Sequence, residues 1–150
     1  METILKNIQN KIAEVVQLKY VDEDTGQLDY YSPNFPVKFP CCLIDLNDGS
    51  FSDIGRDLSK KPVNRQNGSL SVRLTLANMK LSNTSHKAPT SQKDAAWNIF
   101  GLMKEIHEKL HGFVPDGNCS KMLRKTFSRS KRDDGIQEYV IYYSFEATNV

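Results

Sequence analysis

Residues 121–147 read KMLRKTFSRSKRDDGIQEYVIYYSFEA, and this stretch decides the fold. Its first half carries Lys121, Arg124, Lys125, Arg129, Lys131 and Arg132 with no acidic residue. Asp133-Asp134-Gly135 then reverses the chain, because Asp-Gly between strand-like runs accepts the positive backbone angles of a tight hairpin. In the second half Tyr139, Ile141, Tyr143 and Phe145 recur at period two, so they share one face of a strand. The expectation is a hairpin whose aromatic face closes a core and whose basic residues lie on the solvated outer face. That outer face is left for a partner.

Working outward, Ser91 to Leu110 has the spacing of an amphipathic helix, with Ala96, Ile99, Met103, Ile106 and Leu110 on its apolar stripe. Thr90 or Ser91 is expected to cap its start, with Asp94 as the acidic partner of a capping box. Gly112 and Pro115 mark its end. Trp97 falls one position off the stripe, beside Gly101, and is expected to pack into the core rather than against a partner. Ser69 to Lys80 alternates cleanly, with Leu70, Val72, Leu74 and Leu76 on one face and Ser71, Arg73 and Thr75 on the other. This is a strand with one side buried.

Further upstream, Cys41 to Leu46 reads as a buried strand that continues through a bend to Ile54. Gly55 to Gly68 is polar and basic, with Lys60, Lys61, Pro62 and Arg65, and reads as a long loop. Pro33, Pro36 and Pro40 punctuate an extended connection after a polar stretch containing Asp22-Glu23-Asp24. Ile4, Ile8, Ile12, Val15 and Val16 place an amphipathic helix at the N-terminus. The order is helix, two strands, helix, two strands. It predicts one α+β domain over 1–150, a four-stranded, mainly antiparallel sheet with both helices on one face.

Composition sets outer limits. A chain of 150 residues, 39% hydrophobic and 25% charged, is a globular domain able to bury its own core. No apolar run approaches the length of a membrane span, and no secretory signal is visible. Three cysteines, two of them adjacent, argue for a reducing compartment over a disulfide framework. Cys41 and Cys42 point to opposite faces of a strand and are not expected to share a metal. Asn67-Gly68-Ser69 and Asn83-Thr84-Ser85 fit the glycosylation tripeptide, but without an export signal they read as loop composition.

Charge is unevenly placed. Residues 1–58 hold ten acids and five bases, a balance of −5, whereas residues 59–150 hold eight acids and fifteen bases, a balance of +7. Such polarity suits nucleic acid, and equally suits head-to-tail self-association.

Enzymatic chemistry finds little footing. His107-Glu108-Lys109-Leu110-His111 matches H-E-x-x-H, which on a helix could ligate zinc with Glu108 as general base. Yet Lys104, Glu105 and Lys109 surround it where a zinc-protease helix is apolar. No third ligand lies at a recognised spacing, the nearest being Asp116 and Glu138. Histidines in the last turns of a helix suit its C-terminal dipole, and that reading is preferred. Cys119, beside Lys121, could have a lowered pKa; a loop cysteine at a strand entry is the plainer reading. There is no G-x-S-x-G, P-loop or dinucleotide fingerprint. The expectation is a non-enzyme with no catalytic residue, metal or cofactor. Its candidate partner-binding residues are Lys60, Lys61, Arg65, Arg124, Lys125, Arg129, Lys131 and Arg132.

In its element order the chain resembles the tail-terminator (tail-completion) proteins of long-tailed bacteriophages, over most of its length. The carriers are the helix Ile4–Val16, the proline-led strand Phe39-Pro40-Cys41-Cys42-Leu43-Ile44-Asp45 and the alternating strand Leu70–Leu76. The long helix to Leu110 and the closing strand Tyr139–Phe145 complete them. Tyr20–Phe35 and Gly55–Gly68 are longer than that pattern requires. The resemblance implies a non-enzymatic minor tail protein of a phage or prophage. Members form a hexameric ring that caps the tail tube, stops its polymerisation and presents a surface for joining the head. The implied partners are copies of itself, tail-tube proteins and head–tail connector proteins, with no membrane. The implied location is the host cytoplasm during assembly and then the virion tail. The alternative is a small nucleic-acid-binding domain using the basic strand 121–132.

Overall fold

The computed structural model describes residues 1–30, 36–80 and 82–150. Two helices cover one face of a single five-stranded mixed sheet. The class is α+β, as expected, but the sheet has five strands rather than four. Helix α1 spans Glu2–Ala13, and Ile4, Ile8 and Ile12 are fully buried because i, i+4 spacing stacks them on one side. Val15 continues that stripe in the turn after the helix, but Val16, expected on it, is 92% exposed. Past Ala13 the helical period no longer governs where side chains point.

The additional strand, β1 (Tyr20–Glu23), runs parallel to the first four residues of β2 (Cys41–Arg56). Two of its four residues are acidic and it lies at the sheet edge, so no apolar alternation announced it. A single 3-10 turn, Gln27–Asp29, follows it. The connection to β2 retains Pro36 and a cis bond before Pro40, whereas Pro33 lies outside the described residues.

Strand β2 forms a long antiparallel hairpin with β3 (Asn64–Met79). The stretch Gly55–Gly68, read as a loop, is therefore half strand, and residues 57–63 form the turn. Beyond Leu46 and before Gly68 the hairpin extends past the helices, and most of its residues are exposed. Its period-two pattern is lost because neither face has a core to meet. Bulges interrupt it between Asp45 and Asp48 and between Asp53 and Gly55, and Gly55 takes φ +108° at the second.

Helix α2 spans Thr90–Leu110 and buries Ala96, Ile99, Leu102, Met103, Ile106 and Leu110. Pro89 occupies the N-cap position and no side chain caps the helix, so the expected capping box is not formed. At the other end His111 leaves the helical conformation and Gly112 takes φ +85°, as the Gly-Pro stop anticipated. The chain closes with β4 (Leu123–Ser130) and β5 (Ile136–Thr148), joined at Gly135 with φ +78°.

The sheet order is β1-β2-β3-β5-β4, with every pairing antiparallel except β1–β2. Cys42 and Ile44, Leu70 to Leu76 at period two, and Tyr139, Ile141, Tyr143 and Phe145 form one core with the helix stripes. The aromatic face of β5 is thus core, at roughly 1.5–3 kcal/mol for each large side chain removed from water. Cys41 points the other way, into a smaller cluster with Leu28, Val37, Leu43 and Ala77. Trp97, expected inside, is 48% exposed. Ile99 and Leu102 take the buried stripe, and position 97 falls on the flank of α2 where no strand lies beneath.

Candidate functional site

The basic residues proposed for partner binding do not form one patch. Lys60 and Lys61 sit exposed in the hairpin turn, and Arg65 faces Gly55 across the hairpin. Arg124, Lys125 and Arg129 lie on β4, separated from that turn by β5 and by more than about 20 Å along the strand direction.

Their side of the sheet also differs from expectation. Residues directly opposite each other in an antiparallel pair project from the same face. Arg124 is opposite Tyr143, Phe127 opposite Ile141 and Arg129 opposite Tyr139, so all three share the helix side with the aromatic core stripe. They are exposed because β4 stands beyond the reach of α2, not because they face outward. A bulge at Lys125 keeps Arg124 in phase with Phe127 and Arg129, although the first pair are an odd three positions apart.

The flank of α2 that borders β4 carries Phe100, His107 and His111. The Phe100 ring meets Tyr139 edge-on at 5.3 Å between centroids, and the Arg129 guanidinium lies 6.0 Å from the Tyr139 ring centre. The His107 and His111 rings lie 4.7 Å apart and tilted by 43°, His107 Nδ1 lies 3.4 Å from the Tyr143 hydroxyl, and the Arg124 N–H points at His111 Nδ1 at 3.4 Å. Burial, followed by the nearby Arg124 and His111, holds the His107 pKa below the ordinary histidine value. Glu108 projects elsewhere and pairs loosely with Lys104 at 3.8 Å. Among the described residues no group of three or more His, Cys, Asp or Glu could hold a metal ion.

Arg132 is engaged within the chain. Its side chain is 13% exposed and bonds Asp134 at 2.7 Å, Glu138 at 2.9 Å, Asp29 at 2.9 Å and the Leu28 carbonyl at 2.8 Å. It ties the 3-10 turn to the β4–β5 connection, and bidentate contact with Asp134 raises its own pKa further. Beside it, a polar hollow of about 290 Å³ is lined by Asp24, Asp45, Arg73, Thr75, Arg132 and Glu138. The Asp24 carboxylate is answered internally, with Arg73 3.8 Å away and the Thr75 hydroxyl donating to it at 3.2 Å. Lys131 remains exposed at the end of β4.

Cys119 is half-buried. Desolvation, then Asp116, push its thiol pKa up, which accords with the plainer reading of a loop cysteine and not with activation by Lys121. Burial raises Cys41 to about 12 and Cys42 higher still. None is a poised nucleophile.

Sequence reasoning missed the exposed apolar residues of the hairpin. Phe51, Ile54 and Leu58 are 49%, 57% and 84% exposed. Phe51 lies over Gly68, whose missing Cβ makes room for the ring, and it helps to line a hollow of about 300 Å³ with Met1, Leu46 and Leu70. Their signal was isolated apolar residues set among Ser, Asp and Gly in what read as the approach to a loop.

No protein-family model matches the chain, and no curated protein sequence matches it. Among the described residues no helix is long and apolar enough to cross a membrane.

Proposed function

We propose that this chain is a non-enzymatic, self-associating structural protein, a ring-forming tail terminator of a long-tailed phage or prophage. Capping the tail tube and contributing to head–tail joining would be its role. The observation that carries the reading is the β2–β3 hairpin. It extends past the helices and presents Phe51, Ile54 and Leu58 to solvent, more apolar surface than a monomer needs to display. The −5/+7 charge division supports a heterologous contact, in which one surface meets a different one on the next copy. Native mass spectrometry and light scattering test it: a sixfold mass, with rings by electron microscopy, is the expected result. A strictly monomeric chain at high concentration counts against it.

A second reading is favoured by one observation. Arg124 and Arg129 flank Phe127 on the side that also carries half-exposed Phe100, a combination that suits phosphates and stacked bases. Binding of a single-stranded oligonucleotide that weakens steeply with salt and is lost in Arg124→Glu/Arg129→Glu would support it.

A further inference from the structure

Two strand edges are open, and they complement each other. Among the described residues nothing pairs with the outer edge of β4. β1 covers β2 only from Cys41 to Ile44, so from Asp45 onward the outer edge of β2 is also without a strand partner among them. Open edges present rows of unpaired N–H and C=O groups that invite a further strand. The two edges lie at opposite ends of the sheet. One reads Arg124-Lys125-Thr126-Phe127-Ser128-Arg129 and the other Asp48-Gly49-Ser50-Phe51-Ser52-Asp53.

We infer that β4 of one copy pairs antiparallel with the distal half of β2 of a second copy, making the sheet continuous between subunits. The direction follows from the topology. Three successive antiparallel steps, β2 to β3 to β5 to β4, leave β4 antiparallel to β2. A neighbouring copy can therefore join without being turned over, and both copies keep their helices on the same side.

The side-chain faces agree with this. On β2, Gly49, Phe51 and Asp53 lie opposite Leu70, Gly68 and Gln66 and so project from the helix side. On β4 that side carries Arg129, Phe127 and Arg124. Setting Phe127 against Phe51 brings Arg124 against Asp53 and places Arg129 over Gly49, next to Asp48. Phe127 is 58% exposed and Phe51 49% exposed, so both rings have apolar surface to remove from water. Asp53 accepts the Gly55 N–H through Oδ1 at 2.8 Å, and its second oxygen is available to the arginine. Basic residues on an edge can serve simply to discourage aggregation. A guard of that kind needs neither an exposed phenylalanine nor a matching acidic edge in phase with it. The pairing is heterologous, so the rotation between copies decides whether it closes into a ring.

This inference rests on the self-association reading, and charge reversal separates the two. Both Arg124 and Asp53 are exposed, so Arg124→Asp and Asp53→Arg should fold, as circular dichroism would check. Each change alone is expected to weaken association about tenfold, measured by sedimentation at low salt, because it sets like charges opposite each other. The double variant Arg124→Asp/Asp53→Arg is expected to recover most of the loss. Association that is unaffected by either single change overturns the edge pairing and leaves the self-association reading standing. A chain that is monomeric throughout overturns both. Loss of oligonucleotide binding in Arg124→Asp with unchanged mass overturns the pairing in favour of nucleic acid.

Discussion

Replacing Arg132 with methionine isolates the ion cluster that joins the first third of the chain to the last. The guanidinium is nearly enclosed and meets Asp134 and Glu138, whose side chains are only 23% and 9% exposed, together with the more exposed Asp29. Methionine keeps the apolar stem but leaves Glu138 without its partner. Breaking a fully buried pair costs about 3–5 kcal/mol, and the partial exposure here reduces that to about 2 kcal/mol. In urea this corresponds to a midpoint lower by about 1 M, and in a thermal scan to a fall of about 4–8 °C. The pH dependence carries a definite sign. The Arg132 bond holds the Asp134 carboxyl below its ordinary value. Its contribution is therefore full above the unfolded value near pH 4 and is lost as pH falls through the lower, folded value. The gap between parent and variant should thus be constant at neutral pH and shrink below about pH 4. The assay is urea unfolding followed by fluorescence at pH 7, 5, 4 and 3. Equal midpoints at pH 7, or a gap that widens in acid, would refute the account of Arg132 as an internal clamp.

Thiol titration with a disulfide reagent at pH 8 should label Cys119 slowly and leave Cys41 and Cys42 unreactive until denaturant is added, because burial raises all three thiols. In an NMR titration His107 should have its midpoint below 6.5, and Arg124→Ala should move it upward. Since the unfolded state then binds the extra proton first, His107 should reduce stability as pH falls below about 6.5, with the loss levelling off past the folded midpoint. Gly68→Ala puts a Cβ 2.5 Å from the Phe51 ring, which must shift, at about 1 kcal/mol. A double-mutant cycle with Phe51→Ala should recover most of that cost, and additivity would show that the ring does not lie there. Leu74→Ala, at a fully buried position under the helices, should cost about 3 kcal/mol by urea unfolding.

Legibility in the sequence followed burial. Where one face of an element meets the core, its period survives: Ile4, Ile8 and Ile12 on α1, Leu70 to Leu76 on β3, and Tyr139 to Phe145 on β5 all lie as their spacing predicts. Glycine at 112 and 135 marked true chain reversals because those positions need positive φ. The five-stranded order was not readable. β1 is four residues long and acidic, and its parallel partner lies eighteen residues beyond its end. The distal half of the β2–β3 hairpin has no core on either face, so its strands carry no alternation.

The candidate surface was legible in its residues but not in its geometry. The basic run and the aromatic run of the terminal hairpin are plain in residues 121–147, and from them follow the turn, the pairing and a core-facing stripe. Whether Arg124 shares a side of the sheet with Arg129 depends on a bulge at Lys125, and a one-residue slip in register reverses every side chain. That Arg132 reaches beyond its local partners Asp134 and Glu138 to Leu28 and Asp29, more than 100 positions away, is decided by the packing. Whether Phe127 is covered depends on how far α2 reaches across the sheet. Local periodicity records which residues avoid water. Sidedness, ion pairing and open edges are settled by contacts between distant segments, and those arise only when the layers pack.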